Sequence, residues 1–144
     1  MVYQDTVSLD LRVVSAAERE SYLADGYLLL EGLIGEAQLA RLRKVVAGFV
    51  EESRNHTASG DIFDLAPGHS AAAPRLRRLK QPDERHAEFW ALASGVIADV
   101  AADLLGPDVA FHHSKLNFKW SDGGDAVAWH QDIQFYPHTN YDHL

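Results

Sequence analysis

The sequence predicts an α+β domain on three observations. Apolar residues recur at helical spacing in two long stretches, 36–54 and 82–105. Residues 109–120 alternate between polar and apolar with the period of a strand. Short apolar runs at residues 27–30 and 126–129 also read as strands, so helices and strands occur together in one chain. With 144 residues, 47% of them hydrophobic and 24% charged, the chain reads as one globular domain over 1–144.

The elements follow in order. Ser15-Ala16-Ala17-Glu18 has the capping-box pattern, so a short helix is expected from there to about Ala24, with Gly26 as its stop. The apolar run Tyr27-Leu28-Leu29-Leu30 predicts a short buried strand, ended by Gly32 and Gly35. From Glu36 to about Arg54 the stripe Leu39, Leu42, Val46, Phe49 and Val50 predicts a helix that packs a core, with its charges left to solvent. Residues 55–74 carry Gly60, Pro67, Gly68 and Pro74 and read as a long loop, with a brief strand at Phe63 and Leu65. Its two lone histidines, His56 and His69, are expected to be solvated.

The cluster Arg75, Arg77, Arg78 and Lys80 reverses the local charge. It suits either an anion-receiving patch or a solvated strand edge. Pro82-Asp83 then opens what should be the longest helix, to about Leu105, with Gly106-Pro107 as its stop. Val109 to Trp120 predicts a strand whose odd positions, including Lys115, Asn117 and Lys119, face a site or solvent while Leu116, Phe118 and Trp120 pack. Residues 121–125 form a turn by composition, and Ala126 to Trp129 is expected to return as a strand.

That returning strand leads to Trp129-His130-Gln131-Asp132. In extended backbone, residues i and i+2 share a face, so His130 and Asp132 can reach one metal ion together. Imidazole plus carboxylate suits iron(II), manganese or zinc, and the two-histidine, one-carboxylate set marks non-haem iron oxygenases. From the spacing alone, a surface histidine beside a turn aspartate is the better reading of an H-x-D. Gln131 points the other way, and Trp129 is expected to pack behind the strand.

Composition excludes other classes. A net charge of −8 argues against nucleic-acid binding through phosphate neutralisation. No cysteine is present, so disulfides, thiolate metal sites and cysteine nucleophiles are ruled out. Residues 1–11 lack a basic segment followed by an apolar run, and no stretch is long and apolar enough to span a membrane. The expected location is the cytoplasm.

Four stretches carry a resemblance: Asp25-Gly26-Tyr27-Leu28-Leu29-Leu30-Glu31-Gly32, Leu104-Leu105-Gly106-Pro107-Asp108-Val109, Ser114-Lys115-Leu116-Asn117-Phe118-Lys119 and Trp129-His130-Gln131-Asp132. Together and in this order they resemble the phytanoyl-CoA dioxygenase family of iron(II)- and 2-oxoglutarate-dependent oxygenases. The resemblance implies N-terminal helices packed on a double-stranded β-helix, or jelly-roll, core, here partial. It implies His130 and Asp132 as two of three iron ligands, with Asn117, Lys119 and, more weakly, Arg75 as candidate contacts to 2-oxoglutarate. For Asn117 and Lys119, a polar cap on a sheet face and a solvated lysine stand as equal alternatives.

The activity implied is hydroxylation of an unactivated C–H bond of a small organic substrate, with dioxygen and 2-oxoglutarate consumed. Members of that family are considerably longer. Their distal histidine ligand, and the arginine for the far carboxylate of 2-oxoglutarate, fall later than residue 144, and His138 and His143 lie too close to the H-x-D to match. The expectation is therefore the N-terminal portion of a larger protein, inactive alone. The competing reading is a non-enzymatic jelly-roll or cupin-like module holding a metal through His130, Asp132 and His113 or His138, or an inactive oxygenase scaffold. No motif specifies the primary substrate or the oligomeric state.

Overall fold

A computed structural model describes residues 10–123 and 126–130. Helix α1 (Ala16–Asp25) starts where its capping box puts it: Ser15 Oγ accepts from the Glu18 N–H at 3.3 Å and Glu18 Oε2 accepts from the Ser15 N–H at 2.8 Å. It stops at Gly26, whose φ of 79° is left-handed and whose N–H donates to Tyr22 O at 2.8 Å. Helix α2 (Glu36–Glu52) follows, and a 3₁₀ turn, Ser53–Asn55, closes it.

Between them the predicted buried strand is not formed. Residues 27–30 pair with no strand among the described residues, and Tyr27 and Leu29 are 71% and 73% exposed. An apolar run becomes a strand only beside a neighbour that takes its backbone hydrogen bonds.

The single helix expected over 82–105 is three: α3 (Pro82–Arg85), α4 (Ala87–Ser94) and α5 (Val96–Leu105). His86 breaks the first junction. Its backbone is extended, and its Nδ1 accepts from the Glu88 N–H at 3.2 Å, capping α4. Gly95 breaks the second at φ −97°, ψ −123°, where a Cβ would sit 2.7 Å from Ala91 O. Only glycine fits that corner.

Three short strands make one antiparallel sheet in the order β1 (Phe63–Leu65), β2 (Leu76–Lys80), β3 (Lys115–Asn117). Arg77, Arg78 and Lys80 of the basic cluster thus lie on a central strand, not on an edge, with Arg75 just ahead of it. Phe63 opposes Leu79, which opposes Leu116; Asp64 opposes Arg78, which opposes Asn117. Register then slips, and Leu65 opposes Leu76, so Arg77 is an extra residue in β2. The slip lets Leu76 and Leu79, three positions apart, both reach full burial.

Phe63, Leu76 and Leu79 form the core cluster, with Phe49, Val50, Phe89, Leu116 and Phe118 packed against it. Full burial of each of Phe63, Leu76 and Leu79 contributes roughly 1.5–3 kcal/mol. Outside 115–117 the stretch 109–120 forms no further ladder, yet its parity holds from Ser114 to Trp120, odd positions exposed and even ones partly buried. Residues 126–130 form no strand, and Trp129 is fully exposed rather than packed, because no strand among the described residues lies behind it.

Two polar residues lock the chain together. Asp103 on α5 is buried, and its carboxylate accepts from the N–H groups of Arg12 (3.0 Å), Val13 (2.8 Å) and Val14 (2.8 Å). Burial alone would raise its pKa, but these backbone donors and Arg12 outweigh burial and hold it below the ordinary value.

His69 is the second, and it is not solvated. Its Nδ1 accepts from the Arg75 N–H at 2.9 Å, which leaves the proton on Nε2, 3.1 Å from both Ser53 O and His56 O. It thereby ties the long loop to the end of α2. His56 is half-buried, edge-on to Phe63 at 5.1 Å.

Candidate active site

The bulge at Arg77 and the antiparallel pairing sort side chains onto two faces of the sheet. Phe63, Leu79 and Leu116 form the row that meets the core. The neighbouring row, Asp64, Arg78 and Asn117, lies on the opposite face. Arg78 bridges it: Nε donates to Asn117 Oδ1 at 3.1 Å and Nη1 lies 3.5 Å from Asp64 Oδ2. Lys80 Nζ takes the other oxygen of Asp64 at 2.8 Å. Lys115 shares the parity of Asn117, and Lys119 continues it, exposed. Arg78 and Lys80 thus hold one aspartate and one asparagine, and with Lys115 and Lys119 exposed at the parity of Asn117 they make a cationic face on a chain of net charge −8.

A recess of about 570 Å³ on the Leu116 side is mainly apolar, lined by Leu39, Leu42, Val46, Phe89 and Ile97, with Arg43 and Lys115 also in its lining.

Arg75 stands just ahead of β2 and is already engaged. Its guanidinium holds the Asp122 carboxylate with two bonds, 2.8 and 3.0 Å, and donates to Gly123 O at 2.9 Å. It lies 5.9 Å from the centre of the Trp120 ring, while Trp120 Nε1 donates to Leu76 O at 2.7 Å. Arg75 therefore anchors the turn that follows β3. Its Nε is buried with no hydrogen-bond partner among the described residues.

His130 is exposed, with Nδ1 2.8 Å from Ala128 O. A carbonyl only accepts, so Nδ1 carries the proton in that bond, and in the neutral ring Nε2 is the nitrogen that can ligate. Metal-binding histidines are commonly held this way, the second nitrogen donating to a backbone carbonyl. The donor chemistry of His130 thus fits iron(II). Asp132 and Gln131 lie outside the described residues, as does His138. Among the described residues no group of three or more His, Asp or Glu side chains could hold a metal. His113 faces its neighbour His112, their Nδ1 atoms 2.5 Å apart.

Comparison with known proteins bears on this arrangement. The profile described as phytanoyl-CoA dioxygenase (PhyH) matches residues 22–144. This chain belongs to the phytanoyl-CoA dioxygenase family. Over 133 residues, 90% of the chain and 45% of the relative, it is 31% identical to the probable alpha-ketoglutarate-dependent hypophosphite dioxygenase of Stutzerimonas stutzeri. It is 26% identical to the ectoine dioxygenase of Sphingopyxis alaskensis over 84% of the chain and 38% of that protein. To the L-proline trans-4-hydroxylase of Streptomyces griseoviridis it is 30% identical over 83% of the chain and 41% of that protein. The chain spans less than half the length of each of these relatives. No solved structure matches it.

Within this phytanoyl-CoA dioxygenase family chain, sequence reasoning placed Asn117 and Lys119 on one face but missed Asp64 and Arg78. Arg78 looked like one cation of a cluster. Its link to Asn117 spans 39 positions and follows from register, which the spacing of residues within β2 does not contain. Among the described residues no helix is long and apolar enough to cross a membrane.

Proposed function

We propose that this chain carries the metal-binding and cosubstrate-binding elements of an iron(II)- and 2-oxoglutarate-dependent dioxygenase that hydroxylates an unactivated C–H bond of a small organic substrate. One observation carries the reading: a cationic sheet face that ends at Asn117 on β3, in an acidic chain of this family. Such a face attracts a dicarboxylate. Family membership supports a jelly-roll core into which the three strands would fit.

His130, through Nε2, and Asp132 would hold the metal. Iron, when bound, supplies the activation of dioxygen coupled to oxidative decarboxylation of 2-oxoglutarate. The chain's own residues bind and orient. Asn117 donates from its amide to a carboxylate of 2-oxoglutarate, and Lys119 adds a positive charge on the same parity. Arg75, whose fork is filled by Asp122, acts mainly by fixing the turn ahead of the metal segment. Asp64, the carboxylate in the described row, is engaged by Arg78 and Lys80, so the protein's part is position and exclusion of water.

The test is paired. Replacing His130 or Asp132 by alanine in the full protein should abolish iron binding and iron-dependent turnover together. Replacing Asn117 or Lys119 should raise the KM for 2-oxoglutarate more than that for the primary substrate. Most activity surviving in His130→Ala would refute the metal assignment, and an unchanged KM in both other variants would refute the cosubstrate assignment.

A further inference from the structure

We propose that Arg78 is a positioning residue that fixes which end of the Asn117 amide faces 2-oxoglutarate. The inference rests on the reading above that Asn117 contacts that cosubstrate. Guanidinium N–H groups only donate, so the atom of Asn117 that lies 3.1 Å from Arg78 Nε has to be the carbonyl oxygen. The amide NH₂ is then turned away from Arg78, as a donor. A carboxylate needs that donor; the carbonyl oxygen in its place would repel it.

Arg78 is itself held. Asp64 opposes it on β1, and the second oxygen of Asp64 is occupied by Lys80 at 2.8 Å. Asp64 and Arg78 are mostly shielded from water, with side-chain exposures of 20% and 35%. The row Lys80, Asp64, Arg78, Asn117 therefore runs across all three strands and ends at the amide.

The size of the effect follows from the freedom that Arg78 removes. An unheld asparagine samples about three staggered χ1 wells and two amide orientations, so roughly one arrangement in six presents the donor correctly. Apparent affinity falls in proportion to the competent fraction. Loss of Arg78 should weaken 2-oxoglutarate binding about six-fold through this route, whereas loss of the Asn117 donor itself should cost about ten-fold or more.

The experiment is a double-mutant cycle. Dissociation constants for 2-oxoglutarate are measured by calorimetry on the full protein loaded with manganese(II), which needs no turnover. The proteins are the parent, Arg78→Met, Asn117→Ala and the double variant, each checked for an unaltered melting transition. Asp64→Asn serves as a second, milder perturbation of the same row if Arg78→Met does not fold.

The expected result is a loss of about six-fold for Arg78→Met in the parent, and less than two-fold when Asn117 is already alanine. In ¹⁵N spectra the two Asn117 side-chain N–H resonances should be well separated in the parent and move toward free-amide positions in Arg78→Met. Equal losses in both backgrounds would mean that Arg78 acts on the anion directly by its charge, and would overturn the positioning role while leaving the Asn117 contact intact. No loss in either background would overturn it too. Unchanged binding by Asn117→Ala would remove the Asn117 contact itself, and the positioning role with it.

Discussion

Replacing Asp103 by asparagine keeps the shape of the side chain, removes its charge and turns one acceptor oxygen into an NH₂ donor. In the structure that carboxylate takes the N–H groups of Arg12, Val13 and Val14, three consecutive donors 89 to 91 positions away. Hydrogen bonds to a charged acceptor are worth roughly 1.5–3 kcal/mol and neutral ones about 0.5–1.5, so losing the charge costs about 1 kcal/mol at each donor and about 3 kcal/mol in all. At a chain length of 144 residues, 1 kcal/mol moves the melting temperature by about 3–4 °C, which sets the expected drop at roughly 9–12 °C.

Circular dichroism at 222 nm during heating reads it. Asp99→Asn is the control: its bond to Arg12 is exposed and should be worth under about 1 kcal/mol. The pH dependence has a definite sign. Asp103 is held below its ordinary pKa of 3.8, so its contribution is complete above that value and is lost as pH falls through the folded pKa below it. The gap between parent and Asp103→Asn should therefore close on acidification below about pH 3.8 and stay constant above pH 5. A drop no larger than that of Asp99→Asn, or a gap that widens in acid, would refute the reasoning.

Gly95→Ala should destabilise by about 2–4 kcal/mol, because its Cβ meets the Ala91 carbonyl and must push α4 and α5 apart; a denaturant midpoint unchanged from the parent would show that the corner is softer than drawn. His69→Ala leaves the Arg75 N–H and two carbonyls without their ring partner, at a cost of roughly 2–3 kcal/mol. Limited proteolysis should then cut within residues 56–74 well before the parent is cut, and equal cleavage rates would count against the tie.

What the sequence discloses divides by range. The start of α1 was legible because its cap joins Ser15 to Glu18, three positions on, and its end because Gly26 is left-handed. Both are local chemistry. The parity of 114–120 was legible for the same reason, and with it the shared side of Lys115, Asn117 and Lys119. The breaks at His86 and Gly95 were hidden, since the apolar stripe of Phe89, Ala93, Val96 and Val100 runs on regardless of a corner in the backbone. His69 looked solvated because a lone histidine in a polar loop carries no sign of the three backbone groups that converge on it. The strand expected at 27–30 failed because apolarity does not supply a pairing partner. At the candidate site, the H-x-D was visible as spacing. Its Asp132 half lies outside the described residues, while the Asp64–Arg78–Asn117 row emerged only from strand register.

The extra residue in β2 governs how this stretch can change length. In a regular strand, deleting one residue turns every later side chain to the opposite face. Here Leu76 and Leu79 are both buried although three positions separate them, and Arg77 is the residue left over. Deleting Arg77 would set the two leucines two apart, still on one face, and would leave Arg78 and Lys80 on the side they now occupy. Inserting a residue between Leu79 and Lys80 has no such slack to absorb it and would turn Lys80 toward the core. Natural insertions and deletions among related chains should therefore fall at Arg77 or in the loop before Arg75, and spare the rest of the strand.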